Sequence, residues 1–565
     1  MKLVRLKGLF LQPMNTTSLS SRQRIKGNLL LMALVVVLFL LNFSTQTLFF
    51  RPRSYHQWRQ SDCLSITKNY YEEGMHFFSP KIHYQGPAEG KAVSEMPILN
   101  YTTACLWKIF GEHEYIYRLL EYFIFITAIF VFFNTLLRTS GSILLAFFLC
   151  SMLLTSPLLT YYSLNFLADV PAFSMALISF CLLWLHTRTP SRKRFLLALI
   201  TGTLAVLMKA SALTPLALLL LLVAVDVLGI GEKLFGKKLH LPSLNLGKKT
   251  LLLGSLLAIT IIIGWYRYAL YYNADNNNNV FLLTILPIWE MSEQDLIYNF
   301  RTLFTSLFPI FLNKPMFLLF LLMYAYVWAS FRELDGFLRT AFVLASLYFV
   351  GYLLAFFQVF TVHDYYLTNL MILPAITCVC LANLLHAKQH QPVVKKFTLV
   401  VTILLVPFNS LHSAAIYRLR NIKNDKLTYW CPTITQEERN LADYMFWDYS
   451  RGIEKLEMIT PALRAHGIHR NDKVLVIPDG SFNIALYMMD QKGYPIDRNH
   501  FHENADIIKP FLKKGIEYLI LADTTLMQEP AFTNYSQHFK PLFVHGGVKV
   551  FEVLPHHSIG ASITH

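Results

Sequence analysis

Charge is scarce in this sequence and disulfide chemistry has no framework. Asp, Glu, Lys and Arg together make up 15% of the 565 residues, against roughly 25% in an ordinary soluble domain. So few charges cannot cover a globular surface of this size, which excludes a soluble enzyme. The seven cysteines show neither metal-ligand spacing nor a disulfide pattern. Cys150, Cys181, Cys378 and Cys380 lie inside apolar runs, where a thiol packs as a small hydrophobe. Acidic residues are outnumbered 35 to 50 by basic ones. The excess Lys and Arg fall largely in short segments between apolar runs, a distribution that sets membrane topology and argues against a nucleic-acid partner.

What is abundant is apolar length. Hydrophobic residues make up 54% of the chain, and the mean hydropathy is +0.41. They come in runs near the roughly 20 residues that cross a bilayer. The first run, 28–50, follows Arg22, Arg24 and Lys26. A cleaved signal would need a short apolar core ending in small residues; this run ends in Leu48-Phe49-Phe50-Arg51 and reads as a first transmembrane helix.

The pattern predicts about eleven spans, near 28–49, 115–137, 142–161, 169–187, 194–208, 211–230, 250–272, 315–331, 338–360, 366–386 and 397–416. Threaded alternately, they put the N-terminal basic segment, Arg138, 188–194, 233–249, 332–339 and 388–396 on one side, which the positive-inside rule makes the cytoplasm. The opposite side receives 50–114, 162–168, 209–210, 273–314, 361–365 and everything after 416. Six chemically interesting groups from different segments gather on or near that second side: Asp62, Glu95, Asp169, Lys209, His363 and Asp364.

Within the first outer loop, Ser61 is expected to cap a helix from Asp62 to about Glu73, ending at Gly74. In the later loop, after the polar connector from Asn276 to Asn279, Ser292-Glu293-Gln294-Asp295 resembles a capping box. It precedes an amphipathic helix expected to lie in the membrane interface. After residue 416 the composition changes. Strands are predicted at 472–478, 515–521 and 547–553, with a helical stretch near 502–514, giving a small α/β unit over 417–565. That unit has neither a Gly-rich phosphate loop nor a nucleophile elbow.

Each candidate has a functional reading and a plainer one. Asp62, in His56-Gln57-Trp58-Arg59-Gln60-Ser61-Asp62, is either a silent carboxylate at a helix N-terminus or an exposed general base for a hydroxyl acceptor. A helix end would lower its pKa and weaken it as a base. Glu95 is either a solvated loop acid or part of a site with the neighbouring Tyr101. Asp169, two residues before Pro171, is either a helix start or a site acid. Lys209 is either a snorkelling lysine or an intramembrane cation awaiting an anion. His363-Asp364-Tyr365-Tyr366 combines an ordinary interfacial aromatic pair with a less ordinary His-Asp pair.

Together these pieces resemble the GT-C glycosyltransferases, in particular the bacterial relatives of protein O-mannosyltransferases and of aminoarabinose transferases acting on lipid A. The resemblance covers about 28–416. It rests on Arg59-Gln60-Ser61-Asp62, on Glu95-Met96-Pro97-Ile98 with Tyr101, and on Leu167-Ala168-Asp169-Val170-Pro171. It continues through Gly202 to Lys209 with Leu213 and Pro215, and His363-Asp364-Tyr365-Tyr366 ahead of Pro374. Met96 departs from the lysine of aminoarabinose transferases, which argues against the same substrate pair.

The resemblance implies an all-α polytopic membrane domain of GT-C type, 1–416, followed by a small extracytoplasmic α/β domain, 417–565. It implies transfer, with inversion, of a sugar from a polyprenyl-phosphate donor to a hydroxyl on a lipid, glycan or protein acceptor. The setting would be a bacterial inner membrane, with the N-terminus cytoplasmic and the C-terminal domain periplasmic. Asp62 would be the catalytic base, with Glu95 and Asp169 organising the site. Lys209, Arg59, His363 and Tyr365 would meet the donor phosphate, with Arg267 in reserve; His56, Trp58, Tyr101 and Asp364 would line the site. No cofactor is firmly implied; Glu95 and Asp169 could hold a divalent metal, yet two carboxylates do not define a site. Rival readings are a transporter or flippase of lipid-linked sugar, a glycan ligase, or a receptor-like scaffold. A transporter would place its ionisable groups at mid-membrane depth rather than at one face.

Overall fold

A computed structural model describes residues 20–229, 244, 246–278, 280–281 and 284–554. Most of the basic segment 233–249 and the end of the asparagine connector, Asn279, lie outside the described residues. The architecture is an all-α polytopic membrane unit followed by a small mixed α/β unit.

Seven described helices are long and apolar enough to cross a bilayer: Ser21–Leu41, Tyr115–Ser140, Asp169–Arg188, Lys248–Asp275, Gly336–Ala355, Asp364–Lys388 and Pro392–Asn421. An eighth candidate is the bent pair Glu293–Phe311 and Lys314–Ala329. The remaining expected spans are also helical but shorter. Ile143–Leu154 breaks at Pro157 before Pro157–Tyr162, and Arg192–Met208 and Thr214–Leu228 are separated by a tight 3-10 turn at Ala210–Ala212. Leu29, Phe123, Leu253, Leu318, Leu347 and Leu404 project outward from these helices, while Leu31, Ile129, Leu177 and Cys378 pack inward. A continuous apolar outer face of this kind is stable only against lipid. The protein is therefore a membrane protein.

The first large loop differs from expectation where it matters. Its helix starts a turn and a half earlier, at Gln57, and runs to Glu72. The N-cap is His56, held at φ 56° in the left-handed region that a histidine adopts at some cost. Ser61 and Asp62 are consequently interior helical residues. A second helix, Ile98–Phe110, ends at Gly111. In the 273–314 region Ser292 accepts a hydrogen bond from the Asp295 backbone and starts Glu293–Thr302, as expected. That segment meets Lys314–Ala329 at 91°, with Asn313 capping the second helix and Pro315 in its first turn.

The C-terminal unit is built on five strands: β1 (Val474–Ile477), β2 (Gly493–Pro495), β3 (Tyr518–Leu521), β4 (Phe539–His545) and β5 (Val548–Val553). Their order is β2-β1-β3-β5-β4. β1 pairs in parallel with β2 and β3, through connections containing short helices, while β5 is antiparallel to both β3 and β4. β1 is buried on both faces: Val474 and Val476 enter one hydrophobic cluster, Leu475 and Ile477 the other. The β4–β5 hairpin turns on Gly546 and Gly547, at φ 56° and 83°; a two-residue turn that follows strand twist needs positive φ at both positions. β2 and β4 were not signalled in advance, being respectively very short and interrupted by Pro541.

The two units are joined through the first loop. Gln85 donates its backbone N–H to the Gly493 carbonyl at 2.9 Å, so the loop adds to the β2 edge. Below it, Arg470 bonds Glu73, Asn69 and Asp490, and Lys492 pairs with Glu73.

Candidate active site

The helix Gln57–Glu72 places Trp58 and Arg59 in its first turn, facing the junction of 94–95, 209–211 and 363–366. Glu95 is the hub of that junction. One carboxylate oxygen accepts from Arg59 Nη2 at 2.5 Å and from the Ser94 hydroxyl; the other accepts from Lys209 Nζ at 2.8 Å. Burial alone would raise the Glu95 pKa, but Arg59 and Lys209 reverse that and hold it well below the usual carboxylate range. Lys209 Nζ also lies 3.5 Å from Asp169 Oδ1. Lys209 reaches both acids because the Arg192–Met208 helix stops there: its backbone switches to the extended φ −159°, ψ 118°. Asp169 is the first residue of its own helix, as its sequence context suggested.

Arg59, Glu95 and Lys209 line a cavity of about 580 Å³. Its remaining wall is amphipathic. Trp58, Ser211, His363, Tyr365 and Tyr366 line it together with apolar Leu270, Val280, Phe281, Ile285 and Phe356. Tyr365 and Tyr366 present their rings 5.4 and 5.3 Å from the Lys209 ammonium, and Arg59 lies over Phe281 at 5.1 Å. Two cations that share Glu95 thus line a hollow with several apolar and aromatic side chains, a lining suited to an anionic head group on an apolar tail.

Other predicted residues stand beside the cavity rather than in it. Asp364 is fixed by three partners: His56 Nε2 at 2.9 Å, Arg420 Nη2 at 2.8 Å and the Tyr162 hydroxyl. His56 and Asp364 therefore form a buried brace behind His363 and Tyr365. Tyr101 donates to the Met75 carbonyl at 3.2 Å and packs on Tyr70 and Phe77, away from the cavity. Arg267 is exposed on the outside of its helix.

Asp62 is not the exposed helix-end carboxylate expected. It is 1% exposed, one turn beyond Arg59 on the same helix face, and does not line the cavity. Oδ1 accepts from Asn483 Nδ2 at 3.2 Å, and Oδ2 has no hydrogen-bond partner among the described residues. Burial pushes its pKa up to about 7, against the opposing pull of Arg59 and Asn483. The anticipated weakening by a helix terminus does not arise, since Asp62 is not at one.

Arg420, Tyr162 and Asn483 were not singled out from sequence. Arg420 is near the end of the Pro392–Asn421 helix, Tyr162 ends Pro157–Tyr162 and Asn483 precedes the short helix Ile484–Met488, and none stands in a motif that marks it. Among the described residues, no group of three or more His, Cys, Asp or Glu is arranged to hold a metal ion. Glu95 and Asp169 are engaged with Lys209 instead.

No family model matches the sequence, and no curated protein is detectably similar to it. Solved structures are. ArnT from Cupriavidus metallidurans in its apo state aligns over 93% of this chain and 98% of its own, with a TM-score of 0.53 at 13% identity. The same protein bound to undecaprenyl phosphate aligns over 94% and 98%, again at 0.53 and 13%. A variant of the arabinofuranosyltransferase AftD from Mycobacteria aligns over 95% of this chain and 42% of its own, with a TM-score of 0.50 at 12% identity. The likeness runs through both units, and the chain has the fold of the GT-C glycosyltransferases.

Proposed function

We propose that the protein is an integral-membrane glycosyltransferase that moves a sugar from a polyprenyl-phosphate carrier to an acceptor hydroxyl, inverting the anomeric centre. The observation that carries this reading is the Arg59–Glu95–Lys209 cluster lining a cavity that also has apolar and aromatic walls. Undecaprenyl phosphate in the ArnT structure of the same fold supports a lipid-phosphate donor. The catalytic membrane domain is assigned to 1–416 and the second domain to 417–565, both loops and the second domain facing the periplasm of a bacterial inner membrane.

In this reading Asp62 takes the proton of the acceptor hydroxyl. The acceptor oxygen bonds to the anomeric carbon as the carbon–oxygen bond to phosphate breaks from the opposite face. Charge then builds on the leaving phosphate, where Lys209 and Arg59, already fixed by Glu95 and Asp169, stabilise it without reorganisation. His363 and Tyr365 bound the same space. A carboxyl titrating near neutrality suits a general base. Oδ2 carries no hydrogen bond among the described residues, so it can take the proton while Oδ1 stays with Asn483; because the carboxyl is buried, acceptor binding has to open a path to it. Glu95, Asp169 and Asp364 stand at helix starts or in loops rather than at helix centres, which favours transfer over transport.

The test uses purified protein in lipid nanodiscs with polyprenyl-phosphate sugars labelled in the lipid. Release of free polyprenyl phosphate that depends on an envelope extract supports the reading. Passage of intact labelled donor across a vesicle bilayer without cleavage would contradict it.

A further inference from the structure

A second hollow, of about 680 Å³, lies between the first loop and the C-terminal unit. Trp58 lines it as well as the first cavity, so one indole separates the two. The contact is reinforced one layer away: Phe482 of the second hollow packs on Phe281 of the first, ring centroids 6.3 Å apart. The floor is the loop after β1. Asp479 folds that loop on itself, accepting from the Ser481 backbone and hydroxyl at 2.8 Å each and from the Ala485 backbone at 2.7 Å. The same loop carries Asn483, the partner of Asp62.

The opposite wall is the helix Gln436–Arg451. It offers Tyr444 and Trp447, 54% and 50% exposed with ring centroids 5.9 Å apart. Asp448 makes no ion pair among the described residues, and Arg451 lies over the Trp447 ring at 4.6 Å instead of on a carboxylate. The cleft thus combines flat aromatic faces with an uncommitted carboxylate and guanidinium.

We infer that this second cleft is the acceptor site and that it takes a saccharide. A pyranose offers a C–H face to an aromatic ring and hydroxyls that both donate to a carboxylate and accept from a guanidinium; this wall supplies each partner. A sugar seated there would lean on Trp58, with a hydroxyl directed at the donor cavity, and would press on the loop whose Asn483 holds Asp62. The assignment of an acceptor role rests on the glycosyltransferase reading; the saccharide preference is tested without it.

The experiment uses the full chain in nanodiscs of phosphatidylethanolamine and phosphatidylglycerol. A pool of fluorescent oligosaccharides released from the cell envelope is titrated by anisotropy against wild type, Trp447→Ala, Trp447→Phe and Asp448→Asn. A peptide pool from the same envelope is titrated in parallel. Saccharide binding weakened at least tenfold by Trp447→Ala and Asp448→Asn, and kept within about threefold by Trp447→Phe, supports the cleft. Equal affinity for all four proteins, no saccharide binding to wild type, or binding of the peptide pool alone overturns it. Absence of polyprenyl phosphate release in the separate donor assay would overturn only the transferase reading, because saccharide binding is measured independently.

Discussion

Asn483, from the C-terminal unit, donates a 3.2 Å hydrogen bond to Asp62, which lies 421 residues earlier in the first loop. The carboxylate proposed as the base is thereby bonded to a unit that carries none of the residues on which the GT-C resemblance rests. This bond lowers the Asp62 pKa, against burial that raises it.

Removing the bond should make Asp62 harder to ionise. A base must be deprotonated, so kcat/KM for transfer should rise with pH and level off above about 7 in the wild type. Asn483→Ala should move that rising limb to higher pH while leaving the plateau within a few-fold. The measurement is a pH-rate profile of both proteins at saturating donor.

Lys209 serves two acids, and its loss leaves both without their nearest cation. Lys209→Met should cut transfer by about 10²–10³, the cost of deleting one preorganised charge from a transition state. Lys209→Arg should recover part of it. Undecaprenyl phosphate binding by the same variants gives the ground-state share of the loss.

Asp364 is buried against Arg420, His56 and Tyr162. Asp364→Ala strands a buried guanidinium and should cost about 3–5 kcal/mol of stability. The double variant Asp364→Asn with Arg420→Gln should be the more stable of the two, because no uncompensated charge is left. Thermal unfolding in detergent compares them.

His83 is fully buried between Ser65 and Asp490, where the two units meet. Burial lowers its pKa from 6.5 to about 4, despite the nearby Asp490. A depressed pKa means the undocked state binds the proton more readily. Its contribution to docking is therefore complete above pH 6.5 and is lost as pH falls toward about 4. Hydrogen exchange in 69–85 and 488–493 should accelerate over that window, and less so in His83→Gln.

The apolar helices and three of the five strands were legible because each is written in consecutive residues at a fixed period. Lys209, Glu95 and Asp169 were legible for a related reason: a charge beside an apolar run needs a partner, and the topology supplied one. What could not be read was non-local. The start of the Gln57–Glu72 helix depends on His56 taking a left-handed backbone, which is stabilised by the bond to Asp364, 308 residues away. With that start misplaced, Asp62 looked exposed. Arg420 and Asn483 carry no local signal, since their roles exist only after docking.

The central claim is that Asp62 removes the acceptor proton. Asp62→Asn is nearly isosteric and keeps an oxygen for the Asn483 amide, so the protein should fold and bind undecaprenyl phosphate as before. Acceptor-dependent release of polyprenyl phosphate should fall by about 10²–10⁴, with the rising pH limb abolished. Transfer at the wild-type rate, with the limb near pH 7 intact, would contradict the account.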